Sequence, residues 1–282
     1  LVTPLALASG ANSPVFLDML LWDETRVALF KQSTDTRKLK HTEWRRASRV
    51  PFGHGWVRTG ALELFEEAAA LHRPILPICD DERALEKIAA GEIPGLRELR
   101  LLQGTIWQWN RPVYDPAAGG HRRIELRALP AGPTPLDMAA NAAFLFGLVL
   151  HYRDKVTDLL PTLPFRYAEY NFYRAAQQSL NAELLWPTLD VTSPATRNTR
   201  DLCLEMLPLA DEGLDELGVD AEERGRLLDV IRDRLQSGTT GAAWQRRTLE
   251  RLDRKSRPEA LAELVEAYLE QCASGKPVSE WD

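Results

Sequence analysis

The sequence has few cysteines, and their spacing excludes two common kinds of small framework. The three cysteines, Cys79, Cys203 and Cys272, lie far apart, and none belongs to a CxxC pair or has a histidine at zinc-site spacing. Disulfide scaffolds and structural zinc sites both need closely patterned cysteines, so neither is expected. Unpaired cysteines are typical of a reducing compartment, and we expect a cytoplasmic protein.

Long apolar runs and a basic leader are also missing. The longest mostly apolar stretch, residues 138–150, is interrupted by Asn141 and Gly147. A helix that crosses a bilayer needs roughly 20 apolar residues, so this stretch is too short. The sequence starts LVTPLALASGANSPVF, which lacks the basic n-region of a signal peptide. No membrane partner is expected.

Positive charge is in deficit over the chain as a whole. The sequence has 35 lysines and arginines and 41 acidic residues, which gives a formal net charge of −6. Nucleic-acid-binding domains are more often basic, so no nucleic-acid partner is expected. One local basic patch, residues 37–49, is interrupted by Glu43 and Trp44 and fits a solvated loop or helix face. A surface that meets substrate phosphates is the alternative.

What the sequence does have is the composition of a globular protein, since 44% of its 282 residues are hydrophobic and 27% are charged. A chain of this length forms one large domain or two smaller ones. We predict that residues 1–185 combine a sheet with helices. Residues 186–282 are predicted to form a helical layer that packs on the same domain.

Hydrophobic residues at helical spacing predict a helix-rich chain. The predicted helices cover residues 21–32, 61–71, 81–91, 221–235, 239–252 and 258–272. Another helix is expected after Thr134, because threonine caps helix N-termini and Pro135 suits the first helical position. Residues 72–81 are predicted to be a short buried segment. With the strands described next, this pattern predicts an α+β fold, with an antiparallel sheet and a large helical C-terminal part.

Alternation of residue types predicts strands between residues 96 and 128. Trp107 and Trp109 share one face of the first strand, and Gln108 and Asn110 share the other, where they can reach a ligand. The next ten residues, RPVYDPAAGG, are rich in proline and glycine and are predicted to be a hairpin loop.

The returning strand, residues 121–128, carries Arg123, Glu125 and Arg127 on one face. Paired guanidiniums bind phosphate or carboxylate, and an ionised carboxylate between them can bind Mg²⁺, which keeps substrate phosphates in its shell. Such a site suits phosphoryl transfer. A solvated cross-strand ladder of salt bridges is the alternative. The opposite face is predicted to lie against the core and consists of Ile124, Leu126 and Ala128.

Elsewhere the sequence has fewer signals of chemistry. Asn171 and Arg174 are three residues apart on one helical face, a pattern that is common on protein surfaces. The sequence contains no P-loop and no dinucleotide fingerprint. Neither His54 nor His121, the two histidines beside glycines, lies at a spacing from serine, cysteine or carboxylate that suggests nucleophilic catalysis.

Six segments together resemble a known family. The longest is HRRIELRALPAGPTPLDMAANAAFLFGL at residues 121–148, and the others are ANSPVF at 11–16, LWDETR at 21–26, SRVPFGHGWV at 48–57, WQWNRP at 107–112 and NFYRAA at 171–176. They resemble the bacterial glutamate–cysteine ligase-like carboxylate–amine ligases. The resemblance implies a glutamine-synthetase-like fold, in which an antiparallel sheet forms an active-site funnel.

The resemblance also implies an activity and a set of site residues. Such ligases use ATP and Mg²⁺ to activate the γ-carboxylate of glutamate as an acyl phosphate, which an amine such as cysteine then attacks. Glu125 matches the metal-binding glutamate and Arg127 the phosphate-binding arginine, and Arg123 beside them is predicted to be catalytic as well. The residues predicted to bind substrate or nucleotide are Asn110, Arg111, Asn171 and Arg174.

The sequence departs from the family pattern at its start. The family's Glu-rich metal-binding strand and its His-x-His strand normally precede the ANSP segment, which here stands at residues 11–14. We therefore expect the chain to be the C-terminal portion of a ligase. A non-catalytic binding or assembly domain that keeps the fold is the alternative. An unpaired sheet edge would favour association into a homo-oligomer.

Overall fold

The computed structural model describes residues 1–35, 37, 47–187, 194–252 and 255–282. The regular structure of these residues consists of helices and short antiparallel strands, which confirms the predicted α+β class. The chain divides into two compact units, a larger one of Leu1–Ala28 with Leu129–Asp282 and a smaller one of Leu29–Ala128. The boundary predicted between residues 185 and 186 falls inside a strand of the larger unit. Residues 38–46 of the basic patch lie outside the described residues.

The bounds of the regular elements are as follows. The α-helices are α1 Thr3–Gly10, α2 Thr25–Ser33, α3 Ala61–Leu71, α4 Ala84–Ala89, α5 Arg97–Gly104, α6 Pro135–Tyr152, α7 Val156–Leu159, α8 Phe165–Gln178, α9 Thr199–Glu216, α10 Ala221–Ser237, α11 Gly241–Arg251 and α12 Arg257–Ser274. The strands are β1 Val15–Phe16, β2 Met19–Leu20, β3 Asn110–Asp115, β4 His121–Leu126, β5 Glu183–Trp186 and β6 Ala195–Asn198. Among the described helices, none is both long and apolar enough to cross a membrane.

The core of the larger unit is built around α1. All residues of Thr3–Gly10 are buried, because the sequence TPLALASG has no charged side chain that would form a solvent-facing side. Helices α6, α8 and α9 pack against it. Helices α6 and α9 cross at Gly147 and Gly213, where a Cβ added to Gly213 would overlap the carbonyl oxygen of Gly147. Glycine at both positions therefore allows the two backbones to approach closely.

Local sequence determines where α6 begins. The Thr134 hydroxyl accepts a hydrogen bond from the backbone N–H of Asp137 at 3.2 Å, and Pro135 follows in the first turn. Both features confirm the predicted helix start. Asp137 itself is fully buried and forms an ion pair with Arg234 of α10.

An aromatic cluster holds the last residues of the chain against α11 and α12. Trp281 packs edge-on against Trp244 and Tyr268, with ring centroids 5.1 Å and 5.3 Å away. The indole N–H of Trp244 donates to the carbonyl oxygen of Asp282 at 2.9 Å. The helices predicted over residues 239–252 and 258–272 are confirmed by α11 and α12.

The smaller unit contradicts the strand predicted to start at residue 96. Helix α5 occupies Arg97–Gly104, and β3 begins only at Asn110. Leu99, Leu102 and Gln103 are three and four residues apart, which is helical spacing. Strand β3 then runs on to Asp115, so half of the predicted hairpin loop is strand instead. This strand tolerates its proline because, within the described residues, it pairs only with β4.

Two predictions of burial are wrong, one for residues 73–81 and one for Ile124 on β4. Residues 73–81 lie at the surface, because two prolines keep them out of helix and sheet. On β4, Ile124 is 47% exposed, whereas Ala128 beyond its end is buried. Among the described residues Ile124 is not covered by the core, so the predicted core-facing side holds only near Ala128. Helix α3, by contrast, covers the predicted residues 61–71.

The described strands pair as three separate antiparallel ribbons, β1 with β2, β3 with β4 and β5 with β6. Both strands of each ribbon lie in the same unit, β3 and β4 in the smaller unit and the other four strands in the larger one. The wider sheet of an active-site funnel, implied by the resemblance, stays a prediction.

Candidate active site

The β3–β4 ribbon of the smaller unit brings Arg111 and Glu125 together. The register makes them cross-strand partners, so their side chains leave the same face. Nε of Arg111 donates to Oε2 of Glu125 at 2.6 Å. Nε of Arg127, just beyond β4, donates to the same oxygen at 3.0 Å. We call these three residues the Glu125 cluster.

Aromatic packing fixes the position of Arg127. Its guanidinium carbon lies 4.2 Å from the centroid of the Trp107 ring, which is a cation–π contact. Trp107 in turn stacks on Phe30, with 4.1 Å between centroids and 17° between ring planes. The backbone N–H of Arg127 donates to the carbonyl oxygen of Trp109 at 2.9 Å. The guanidinium is therefore oriented before any ligand arrives, which is how electrostatic catalysis avoids reorganisation.

The electrostatics of the cluster keep Glu125 ionised. Partial burial by itself would raise the pKa of Glu125, but the charges of Arg127 and Arg111 and their hydrogen bonds bring this pKa below its usual range. Burial lowers the pKa of Arg127, as does the nearby charge of Arg111. A guanidinium remains protonated despite such a shift, so the cluster carries one negative and two positive charges.

The oxygens of Glu125 differ in their surroundings. Both arginines donate to Oε2, and in the described part of the chain Oε1 accepts no hydrogen bond. The Glu125 side chain is 42% exposed, so solvent reaches it. The described residues contain no group of three histidine, cysteine or acidic side chains that could hold a metal. Mg²⁺ needs only one or two carboxylates when phosphates and water complete its shell, so Glu125 fits as one ligand of a phosphate-bound ion.

Arg123 and Asn110 lie apart from these contacts. The Arg123 guanidinium donates to Asp115 at 3.1 Å and lies 2.7 Å from Nε2 of His121, so it contacts the turn end of the ribbon. Asn110 is exposed and pairs with Leu126, which places it on the ribbon face opposite Arg111. The catalytic role of Arg123 and the binding role of Asn110 stay predictions.

Asn171 and Arg174 belong to the larger unit. The buried Asn171 side chain forms two hydrogen bonds with the backbone of Leu185 in β5. Its Nδ2 donates to the carbonyl oxygen and its Oδ1 accepts from the N–H, both at 2.7 Å. The Arg174 guanidinium donates at 3.3 Å to the hydroxyl of Tyr170 and to the amide oxygen of Gln177 on its own helix. These contacts are structural, and the substrate-binding role of both residues stays a prediction.

The sequence interpretation missed two neighbours of the cluster. Trp107, predicted to lie on one face of a strand, supports Arg127 instead. A cavity of about 240 Å³ has Arg111 in its wall, together with Arg100 and Gln103 of α5. The helical spacing of residues 99, 102 and 103 is the sequence signal for this wall, whereas the alternation of residue types predicts a strand there.

Comparison with known protein families gives a match over most of the chain. The sequence profile of glutamate-cysteine ligase family 2 matches residues 1–267, almost the whole chain. A comparison with curated proteins found no match. The match to the family confirms the resemblance of the six segments. The chain therefore belongs to glutamate-cysteine ligase family 2.

Proposed function

We propose that this protein is an ATP-dependent carboxylate–amine ligase that activates the γ-carboxylate of glutamate and joins it to an amine, cysteine or a similar compound. The observation that carries the proposal is the shared oxygen of Glu125, to which Arg111 and Arg127 both donate. Two guanidiniums and an ionised carboxylate that meet at one place on the ribbon suit the phosphates of a nucleotide. Family membership supplies the reaction class.

Each residue of the cluster has a role in this proposal. Arg111 uses Nε for Glu125, and a guanidinium has five N–H donors, so further donors can bind a phosphate oxygen. Arg127 is held by Trp107 and contributes positive charge where the transferred phosphoryl group gains negative charge. Oε1 of Glu125 would hold Mg²⁺ bound to the ATP phosphates, and this ion would offset charge on the phosphoryl group.

The reaction has two steps. A carboxylate oxygen of glutamate attacks the γ-phosphorus of ATP, the bond from that phosphorus to the bridging oxygen breaks, and ADP leaves. The amine nitrogen then attacks the acyl carbon, inorganic phosphate leaves with the bonding electrons, and the nitrogen loses a proton to solvent water. Arg111 and Arg127 lower the barrier of the first step by electrostatic stabilisation.

The test is ADP release by the full chain with ATP and Mg²⁺, measured with a panel of amino acids in the presence and absence of glutamate. We expect release that requires glutamate and an amine. Glu125→Gln keeps the size of the side chain but removes its charge, so it should abolish release. Glu86→Gln is the matched control, because Glu86 lies in the same unit in an exposed ion pair, with 68% of its side chain accessible.

The outcomes separate the two interpretations of the chain. Glutamate-dependent release that survives Glu86→Gln and is lost in Glu125→Gln supports the ligase. Equal activity of Glu125→Gln and wild type would contradict the role of the cluster. No release by the wild type under any amino acid would contradict a catalytic function for this chain and favour a binding or assembly domain.

A further inference from the structure

The smaller unit contains a cavity of about 240 Å³, to which the proposed reaction assigns no role. Its walls come from α3, α5 and β3. Pockets for drug-sized ligands measure roughly 300–1,000 Å³, so this cavity suits a smaller molecule. Arg111 lines it and also belongs to the Glu125 cluster, so a molecule in the cavity would lie beside the site proposed for phosphoryl transfer.

Gln103 is the residue that points to a ligand. It lines the cavity and is only 4% exposed. Its Nε2 and Oε1 atoms are both buried and have no hydrogen-bond partner within the described residues. Buried amides in native proteins are almost always hydrogen-bonded, so an unsatisfied donor and acceptor in a cavity wall require an explanation. Because both amide atoms are buried, a molecule in the cavity reaches them only when the Gln103 side chain changes its rotamer.

The rest of the wall defines the chemistry of that molecule. The guanidiniums of Arg100 and Arg111 suit a carboxylate. Asp115 offers a negative charge for an ammonium group, and hydrogen bonds from a backbone N–H and from a neighbouring arginine lower its pKa. Phe65 and Leu99 add an apolar surface that fits a short aliphatic side chain.

We propose that the cavity binds a small α-amino acid in its zwitterionic form and that Gln103 determines the selectivity. The carboxylate of the ligand meets Arg100 and Arg111, and its ammonium group meets Asp115 and the amide oxygen of Gln103. The amide nitrogen of Gln103 donates to the carboxylate. Identifying this amino acid as the amine acceptor rests on the proposed function, whereas its binding does not.

Binding is measured on the full chain without ATP, by calorimetry and by the shift in thermal unfolding. The probes are glycine, L-alanine, L-serine and L-cysteine, with propionate and ethylamine as compounds that each lack one of the two charges. We expect saturable binding of at least one amino acid, and affinities for propionate and ethylamine about tenfold or more weaker, because each leaves a buried polar partner unsatisfied.

Gln103→Leu gives a signature that a structural role would not produce. The free variant should unfold at a higher temperature than wild type, because an apolar side chain replaces an unsatisfied amide, while its affinity for the amino acid falls by about tenfold or more. Arg100→Ala, at an exposed position of α5, should weaken binding without changing the unfolding temperature much. Gln108→Leu is the matched control, since its amide oxygen is also buried without a partner but Gln108 does not line the cavity.

Any one of three results would contradict the amino-acid site. In the first, the wild type binds none of the four amino acids, and in the second it binds L-alanine and propionate with equal affinity. In the third, Gln103→Leu and Arg100→Ala both bind amino acids as tightly as the wild type. Because the assay contains no ATP, a protein that binds amino acids but releases no ADP would contradict the ligase and leave the site standing. The opposite pattern would contradict the site alone.

Discussion

Oδ1 of Asp137 lies 2.7 Å from Nη2 of Arg234, and both side chains are buried, with 0% and 1% of their surface accessible. The Arg234 guanidinium also donates to Asn141 and to the carbonyl oxygen of Ser9. Asp137 accepts from the backbone N–H of Val278 at 3.2 Å. The pair therefore links the N-terminal helix α1, the start of α6, helix α10 and the C-terminal residues.

Removing one member of this ion pair should lower the stability of the fold strongly. We expect Arg234→Met to lower the free energy of unfolding by about 3–5 kcal/mol, because Asp137 would remain buried without its counter-charge. Urea denaturation measures the change. Arg232→Met on the same helix is the control, since Arg232 pairs with Asp229 at the surface and such pairs contribute about 0–1 kcal/mol. Equal losses in the two variants would show that the buried pair has no special role.

The crossing of α6 and α9 should tolerate no side chain at Gly213. We expect Gly213→Ala to destabilise the protein by about 1–3 kcal/mol or more, because the new Cβ meets the backbone of Gly147, which cannot rotate away. Gly225→Ala is the matched control. Gly225 lies in α10 with open space around it, so alanine there should stabilise by about 0.5–1 kcal/mol through helix propensity. The thermal unfolding of both variants tests this prediction. A Gly213→Ala variant as stable as the wild type would contradict the close crossing of α6 and α9.

Glu82 should make the smaller unit sensitive to acid. Hydrogen bonds from the Gly95 N–H, from Lys87 and from the Leu96 N–H lower its pKa from 4.5 to about 2. Because the pKa is lower in the folded state, the stabilisation is present above pH 4.5 and is lost as the pH falls towards about 2. We expect Glu82→Gln to be less stable than wild type at pH 7, with a difference that shrinks in this window.

Carboxyl chemical shifts, followed by NMR against pH, test the Glu82 prediction directly. A titration midpoint near the ordinary value of glutamate would contradict it. Glu86→Gln serves as the reference variant, since its exposed ion pair should give a difference from wild type that changes little over the same range.

Arg127 and Arg123 should differ in their effect on turnover, although both lie on the face predicted from the alternation. We expect Arg127→Ala to lower kcat by about 10²–10³, the loss typical of one electrostatic donor. Arg123→Ala should cost less than about tenfold, because Arg123 contacts Asp115 and His121 and not Glu125. Steady-state ADP release measures both. A larger loss in Arg123→Ala would restore its predicted catalytic role.

Much of this protein was determined by short stretches of sequence. Helix α3 covers the predicted residues 61–71, and Thr134 caps α6 as expected, because spacing and capping are local interactions. The period of two along β4 placed Glu125 and Arg127 on one face for the same reason. Recognition of the family also depended on contiguous segments, and it is confirmed over residues 1–267.

Tertiary structure decided the rest. Arg111 becomes the partner of Glu125 only through the register of the ribbon, which joins residues 14 apart in sequence. The unsatisfied amide of Gln103 and the cavity beside it exist because α5, which lacks a strong capping residue, forms a helix there. Asp137 and Arg234 meet across 97 residues of chain. Such pairings depend on which surfaces pack together. The residues next to each partner in the sequence do not indicate which residue it will contact.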